Sequence, residues 1–247
     1  MPDIQTHEDS GVLLITFNRP ARKNAITVAM YRQLTEALQR AASDPDIAVV
    51  LFQGDEQAFC AGNDLSDFLA EPPDDLDAPV WQFLRVLAAF PKPMVAAVCG
   101  VAVGIGATLL LHCDLVLCGS NARFSLPFVN LGLCPEAGSS LLLTRLVGYP
   151  RAAEILLLGE PFDAAAAAQA GLVSQVLEPR EVLERALAQA RKLASKPLQA
   201  LMESRRLLKS TDQAAVLARI DEEAQVFIRL LNSEAARQAI AGFGGKR

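Results

Sequence analysis

The chain is poor in the residues that most reactive sites recruit. Its 247 residues include two histidines, one tryptophan and two tyrosines. His7 and His112 fit no Ser/Cys–His pairing along the chain and no G-x-S-x-G occurs, which argues against a triad hydrolase. The five cysteines (Cys60, Cys99, Cys113, Cys118 and Cys134) contain no C-x-x-C pair, so neither a zinc knuckle nor a thioredoxin-type motif is indicated. They lie mostly in apolar runs, where a reduced thiol packs as a small hydrophobe, and a reducing, cytoplasmic setting is expected. The opening MPDIQTHEDS lacks the basic and apolar stretches of a signal peptide. A basic excess is absent too: the net charge of −5 excludes a general nucleic-acid binder but leaves room for an anionic ligand held by local Lys and Arg. Residues 94–111 are uncharged, yet three glycines break them. They read as strand, turn and buried helix, with no membrane span.

What is present is an ordinary globular composition, 51% hydrophobic and 21% charged. A chain this long buries roughly three quarters of its unfolded surface and needs no disulfide or metal to hold together. Residues 12–17 are a β-type run closed by Asn18-Arg19-Pro20, and ARKN (21–24) is a basic loop. Met30, Leu34, Leu38 and Ala41 recur at helical spacing within 25–42. A strand over 47–52 leads through a loop to FCAGNDLSDF, a tight turn entering a helix, and EPPDDLDAP (71–79) is an exposed acidic loop. A helix over 81–90 stops at Pro91-Lys92-Pro93. A strand over 94–98, the glycine-rich turn 100–106 and a helix over 106–111 follow. Short strands are expected over 114–118, 124–127 and 172–177, with helices over 136–146, 151–158, 164–170 and from 180 onward. Alternating strands and helices followed by a helical third indicate an α/β fold, with a core over 1–195 and a helical C-terminal portion over 196–247.

Two turns and one carboxylate carry the chemistry. Gly104-Ile105-Gly106 follows a strand and opens a helix, but position 109 is leucine, so the dinucleotide fingerprint fails. What survives is a helix N-terminus able to meet developing negative charge, or simply a tight packing turn. Ala61-Gly62-Asn63-Asp64 is a second such turn, equally consistent with plain helix capping. Together they could converge as an oxyanion hole. Glu136 follows Pro135 and fits an acid at a helix start. Its apolar neighbours Phe124, Leu126, Phe128, Val129, Leu131 and Leu133 equally suit a desolvated general base.

Across nearly the whole chain these segments resemble the crotonase superfamily, the enoyl-CoA hydratase/isomerase group. FNRPARKNAIT is similar to its first strand-loop-helix, FCAGNDLSDF to its first oxyanion turn, PKPMVAAVCGVAVGIGATLLLHCDLVL to its second, and LGEPFDAAAAAQAGLVSQVL to a later helix-strand block. The resemblance implies a crotonase-like spiral of ββα units, with 196–247 as a trimerisation segment in a homotrimer or dimer of trimers. It implies acyl-CoA thioester substrates, with coenzyme A entering as part of the substrate and no separate cofactor or metal. By position it assigns the oxyanion amides to Asn63 and Ile105. Contacts to coenzyme A fall to Arg22, Lys23, Ala25, Ala61, Asp64, Phe243 and Lys246. The two glutamates of the hydratases are replaced by Thr108 and Phe128. Glu136 matches the single glutamate of the Δ3,Δ2-enoyl-CoA isomerases, whose LGxxPEGxSS resembles residues 131–140. The expected reaction is therefore a one-base double-bond shift. Other crotonase-fold reactions, such as hydration, thioester hydrolysis or decarboxylation, and a non-catalytic acyl-CoA-binding module are the alternatives.

Overall fold

The computed structural model describes residues 2–209, 211 and 213–244. Its strands are β1 (Ile4–Asp9), β2 (Val12–Phe17), β3 (Val49–Gln53), β4 (Ala58–Cys60), β5 (Met94–Val98), β6 (Val101–Val103), β7 (Leu115–Gly119), β8 (Arg123–Ser125), β9 (Phe162–Asp163) and β10 (Gln175–Leu177). The α-helices are α1 (Val28–Ser43), α2 (Leu65–Ala70), α3 (Pro79–Ala89), α4 (Ile105–Thr108), α5 (Ser139–Val147), α6 (Tyr149–Ala153), α7 (Ala164–Gln169), α8 (Pro179–Ala194), α9 (Leu198–Lys209), α10 (Gln213–Leu231) and α11 (Glu234–Gly244).

Strands alternate between two sheets as the chain advances. The larger has the order β1-β2-β3-β5-β7-β10 and the smaller β4-β6-β8-β9. The successive pairs β3/β4, β5/β6 and β7/β8 each place one strand in each sheet, and parallel pairing joins one turn to the next. This is the expected spiral of ββα units. The larger sheet is covered on both faces, as parallel sheets are. Leu13, Ile15, Phe17, Val50, Phe52, Met94, Ala96 and Val98 face the main core, which α1 and α3 complete. Their alternates Val12, Leu14, Val49, Leu51, Val95 and Ala97 pack beneath Val182, Ala186 and Ala190 of α8.

Several local expectations shift. β1 lies in the stretch that reads only as a polar start, because Ile4 is its single buried residue and the five polar residues that follow pair with β2 through their backbone. β6 occupies the middle of the glycine-rich turn, and β4 and β9 are equally unannounced. These strands of two or three residues are too short for a period to show. Residues 94–111 indeed form strand, turn, strand and short helix, and no described helix is long and apolar enough to cross a membrane.

The expected helix start at Pro135-Glu136 is wrong. Ala137 (φ 60°) and Gly138 (φ 70°) are left-handed, so the helix begins only at Ser139.

The C-terminal helices turn back onto the core. Arg205 of α9 reaches Asp114 at 2.7 Å and the Phe90 carbonyl at 2.5 Å. Phe227 of α10 packs edge-on against Trp81 and Phe68, with ring centroids 5.4 and 6.0 Å apart.

Candidate active site

The first turn is fixed by the loop that precedes α1. Ile26 N–H donates to the Gly62 carbonyl and Asp64 N–H to the Ile26 carbonyl, both at 2.8 Å. This parallel bridge between Ile26 and Asn63 uses the groups flanking Asn63 and leaves its own N–H outside the pairing. The Asn63 side chain is anchored as well: the buried Tyr31 hydroxyl donates to Asn63 Oδ1 at 2.5 Å. Asp64 caps α2, accepting from Ser66 and Asp67 N–H, and pairs with Arg19 at 2.7 Å and Arg22 at 3.4 Å. Burial pushes its proton affinity up, but the Arg19 hydrogen bond and the other donors outweigh that and hold the carboxyl below its ordinary value.

The second turn packs on the first. Gly104 (φ 53°) caps α4, and its carbonyl accepts from Ala107 and Thr108 N–H at 2.8 and 2.9 Å. Ile105 is the first residue of that helix, where an N–H has no intrahelical acceptor. A Cβ built on Gly104 would lie 3.9 Å from Gly62 Cα, and one on Gly106 would overlap the Cys60 carbonyl. At Gly106 a side chain would forbid this close backbone approach, whereas at Gly104 it is the positive φ that favours glycine. The nearby Cys60 thiol is pushed up to about 12 by burial and is inert at neutral pH.

Glu136 is 2% exposed. Thr108 Oγ1 donates to its Oε1 at 2.5 Å, while Oε2 has no hydrogen-bond partner among the described residues. Burial is the main reason its pKa rises to about 8; the Thr108 bond opposes this and the charge of Glu223 adds to it. The helix-dipole role does not survive the geometry, because Glu136 precedes α5 by two left-handed residues. The α5 amides are served instead by Glu223 of α10, which accepts from Gly138 N–H at 2.6 Å and from Ser140 N–H and Oγ at 3.0 and 2.6 Å.

A cleft of about 240 Å³ opens onto the first turn. Arg22, Ala25, Ala61, Asn63 and Asp64 line it, with Gly104 on the second turn and Leu131, Leu133 and Phe227 supplying apolar walls. Lys23 is exposed and borders a separate hollow with Asp55 and Glu56. Glu136 is buried and is not among the residues that line this cleft. The Phe243 side chain and Lys246 lie outside the described residues.

Three features escaped sequence reasoning: the Tyr31 clasp on Asn63, the Thr108 bond to Glu136 and the reach of Glu223. The first two join residues about thirty positions apart in different elements, and the third spans more than eighty. No local pattern marks such pairs.

Comparison with known proteins meets this geometry. The family model described as "Enoyl-CoA hydratase/isomerase" matches residues 7–247. The 2,3-dehydroadipyl-CoA hydratase of Escherichia coli is 39% identical over 100% of this chain and 97% of its own length. The 1,2-epoxyphenylacetyl-CoA isomerase of the same organism is 35% identical over 100% and 97%. The solved structure of Pseudomonas aeruginosa OdaA superposes with a TM-score of 0.97 at 44% identity, covering all of both chains. A family model that spans residues 7–247 and relatives at 39% and 35% identity along the whole chain make this protein a member of the enoyl-CoA hydratase/isomerase family.

Proposed function

We propose that the protein moves the double bond of a 3-enoyl-CoA thioester to the conjugated trans-2 position, with Glu136 as the only proton carrier. The observation that carries this is that Glu136, unlike the buried and fully engaged Asp64 and Glu223, has one anchored oxygen and one with no hydrogen-bond partner among the described residues. The two positions at which the resemblance places the hydratase glutamates hold Thr108 and Phe128, and neither side chain can activate water.

The thioester oxygen would accept the N–H groups of Asn63 and Ile105. Glu136 Oε2 takes a proton from C2, and the C2–H electron pair enters a dienolate whose charge rests on the thioester oxygen. The same carboxyl returns the proton to C4, and the double bond settles between C2 and C3. One base suffices because both carbons lie on one face of a planar intermediate. A carboxyl tuned to about 8 gives and takes a proton readily near neutrality. The acyl chain would lie along Leu131, Leu133 and Phe227, with Arg22 and Ala25 toward the coenzyme A portion.

A 3-enoyl-CoA assay followed by formation of the conjugated thioester tests this. Wild type converts the substrate and Glu136→Gln loses at least 10²-fold in rate. Equal rates in the two proteins would remove Glu136 as the base. Hydration is the second reading, favoured by the identity to the dehydroadipyl-CoA hydratase. A 3-hydroxyacyl-CoA formed from a 2-enoyl-CoA at comparable rate would establish it instead.

A further inference from the structure

Glu223 is 5% exposed and lies on α10, far from Glu136 in sequence, yet all its side-chain contacts end on the segment immediately after Glu136. We propose that Glu223 is a positioning residue for the Glu136 proton carrier, clasping the Ala137–Gly138 bend that follows it and bringing a second carboxyl to bear on Glu136. This rests on Glu136 being the base proposed above.

Two observations make the clasp more than a helix cap. The bend it holds is one a non-glycine residue resists, since Ala137 is left-handed and fully buried. His112 Nε2 donates to the Ala137 carbonyl at 2.7 Å, so the Ala137–Gly138 peptide is held at both its carbonyl and its N–H. The charges around the pair are equally defined. Tyr31, Cys60 and Cys134 all feel Glu136, but burial pushes the two thiols up to about 12 and the phenol well above its ordinary value. His112 is pushed down to about 4 and is neutral. Arg219 reaches Ser140 Oγ at 3.2 Å and partly offsets Glu223 from the far side. Glu223 is therefore, among the described residues, the carboxyl whose charge raises the proton affinity of Glu136. Burial holds the proton affinity of Glu223 above its ordinary value, and the Ser140 and Gly138 donors and Arg219 offset that only in part.

The test is carboxyl titration by NMR on protein labelled with 13C at the glutamate carboxyl, with Glu136→Gln identifying the Glu136 resonance. It is paired with the pH profile of kcat/KM on a 3-enoyl-CoA. Glu223→Gln removes the charge and should move both the Glu136 midpoint and the acid limb to lower pH. Ser140→Ala weakens the clasp but keeps the charge, and should slow turnover without lowering the midpoint. An unchanged midpoint in Glu223→Gln, or an equal fall in both variants, overturns the proposal. If Glu223→Gln does not melt cooperatively, Arg219→Gln serves in its place. It uncovers the Glu223 charge, so the Glu136 midpoint should rise, and no change counts against the proposal. A midpoint that shifts as expected in a protein that does not isomerise 3-enoyl-CoA would leave this assignment standing and reject the isomerase activity alone.

Discussion

Glu136 holds a proton that an exposed glutamate would lose three pH units earlier, and that has a cost visible outside catalysis. Its folded pKa of about 8 lies above the ordinary 4.5, so its contribution to stability is full below the unfolded value and is lost as pH rises through the folded one. Glutamine imitates the protonated form at every pH. Glu136→Gln should therefore melt higher than wild type above pH 5, with the gap widening to about pH 8 and reaching on the order of 3 kcal/mol at pH 7. Thermal melts across that range check it, and a gap independent of pH would contradict the burial argument. Thr108 acts on the same proton in the opposite direction, because its hydroxyl favours the carboxylate. Thr108→Val keeps the shape and removes the donor, so the acid limb of kcat/KM should move to higher pH and activity at pH 7 should fall. Thr108→Ser should restore the wild-type profile. The sequence exposes Thr108 only as a missing glutamate. Its bond to Glu136 needs the fold to bring α4 and the segment before α5 together.

At the scale of elements, the helix α4 is only four residues long and matters for its first amide. Proline is tolerated at a first helical position and lacks the N–H, so Ile105→Pro isolates that donor. If the thioester oxygen rests there, the variant should keep its fold by circular dichroism and lose about 10² to 10³ in kcat. A loss confined to KM would place the substrate oxygen elsewhere. Both glycine turns were legible in the sequence, because close backbone contact writes itself as glycine at fixed offsets. Five strands of the six-stranded sheet were legible as apolar runs, β2, β3, β5, β7 and β10, while the polar β1 was not. β4, β6, β8 and β9 were not, or only in part, because a strand of two or three residues draws its pairing from neighbours distant in the chain. The false helix start at Pro135 has a local cause. The Pro-acid pair is a real signal for a helix, and it is overridden by a left-handed alanine whose peptide His112 and Glu223 hold.

At the scale of the molecule, the spiral of ββα units stacks the two glycine turns by repeating one connection in successive layers, and α10 then closes the assembly from outside. The resemblance assigns 196–247 to trimer formation, but within one protomer α10 already gives Phe227 to the cleft wall and Glu223 to the α5 start. The aromatic contacts of Phe227 with Trp81 and Phe68 are internal to the chain, and the ring is 1% exposed. Truncating it should therefore damage the folded protomer itself. Phe227→Ala should cost ~3–5 kcal/mol of stability by opening a cavity among those rings. Because the lost contacts lie within one chain, the change in melting temperature should not depend on protein concentration, whereas a loss of subunit contacts would deepen on dilution. The KM for the acyl-CoA should rise with it, since the same ring walls the cleft. Melts of both proteins over a hundredfold range of concentration separate the two cases. A difference that grows on dilution would show that α10 is held chiefly by a neighbouring copy rather than by its own core.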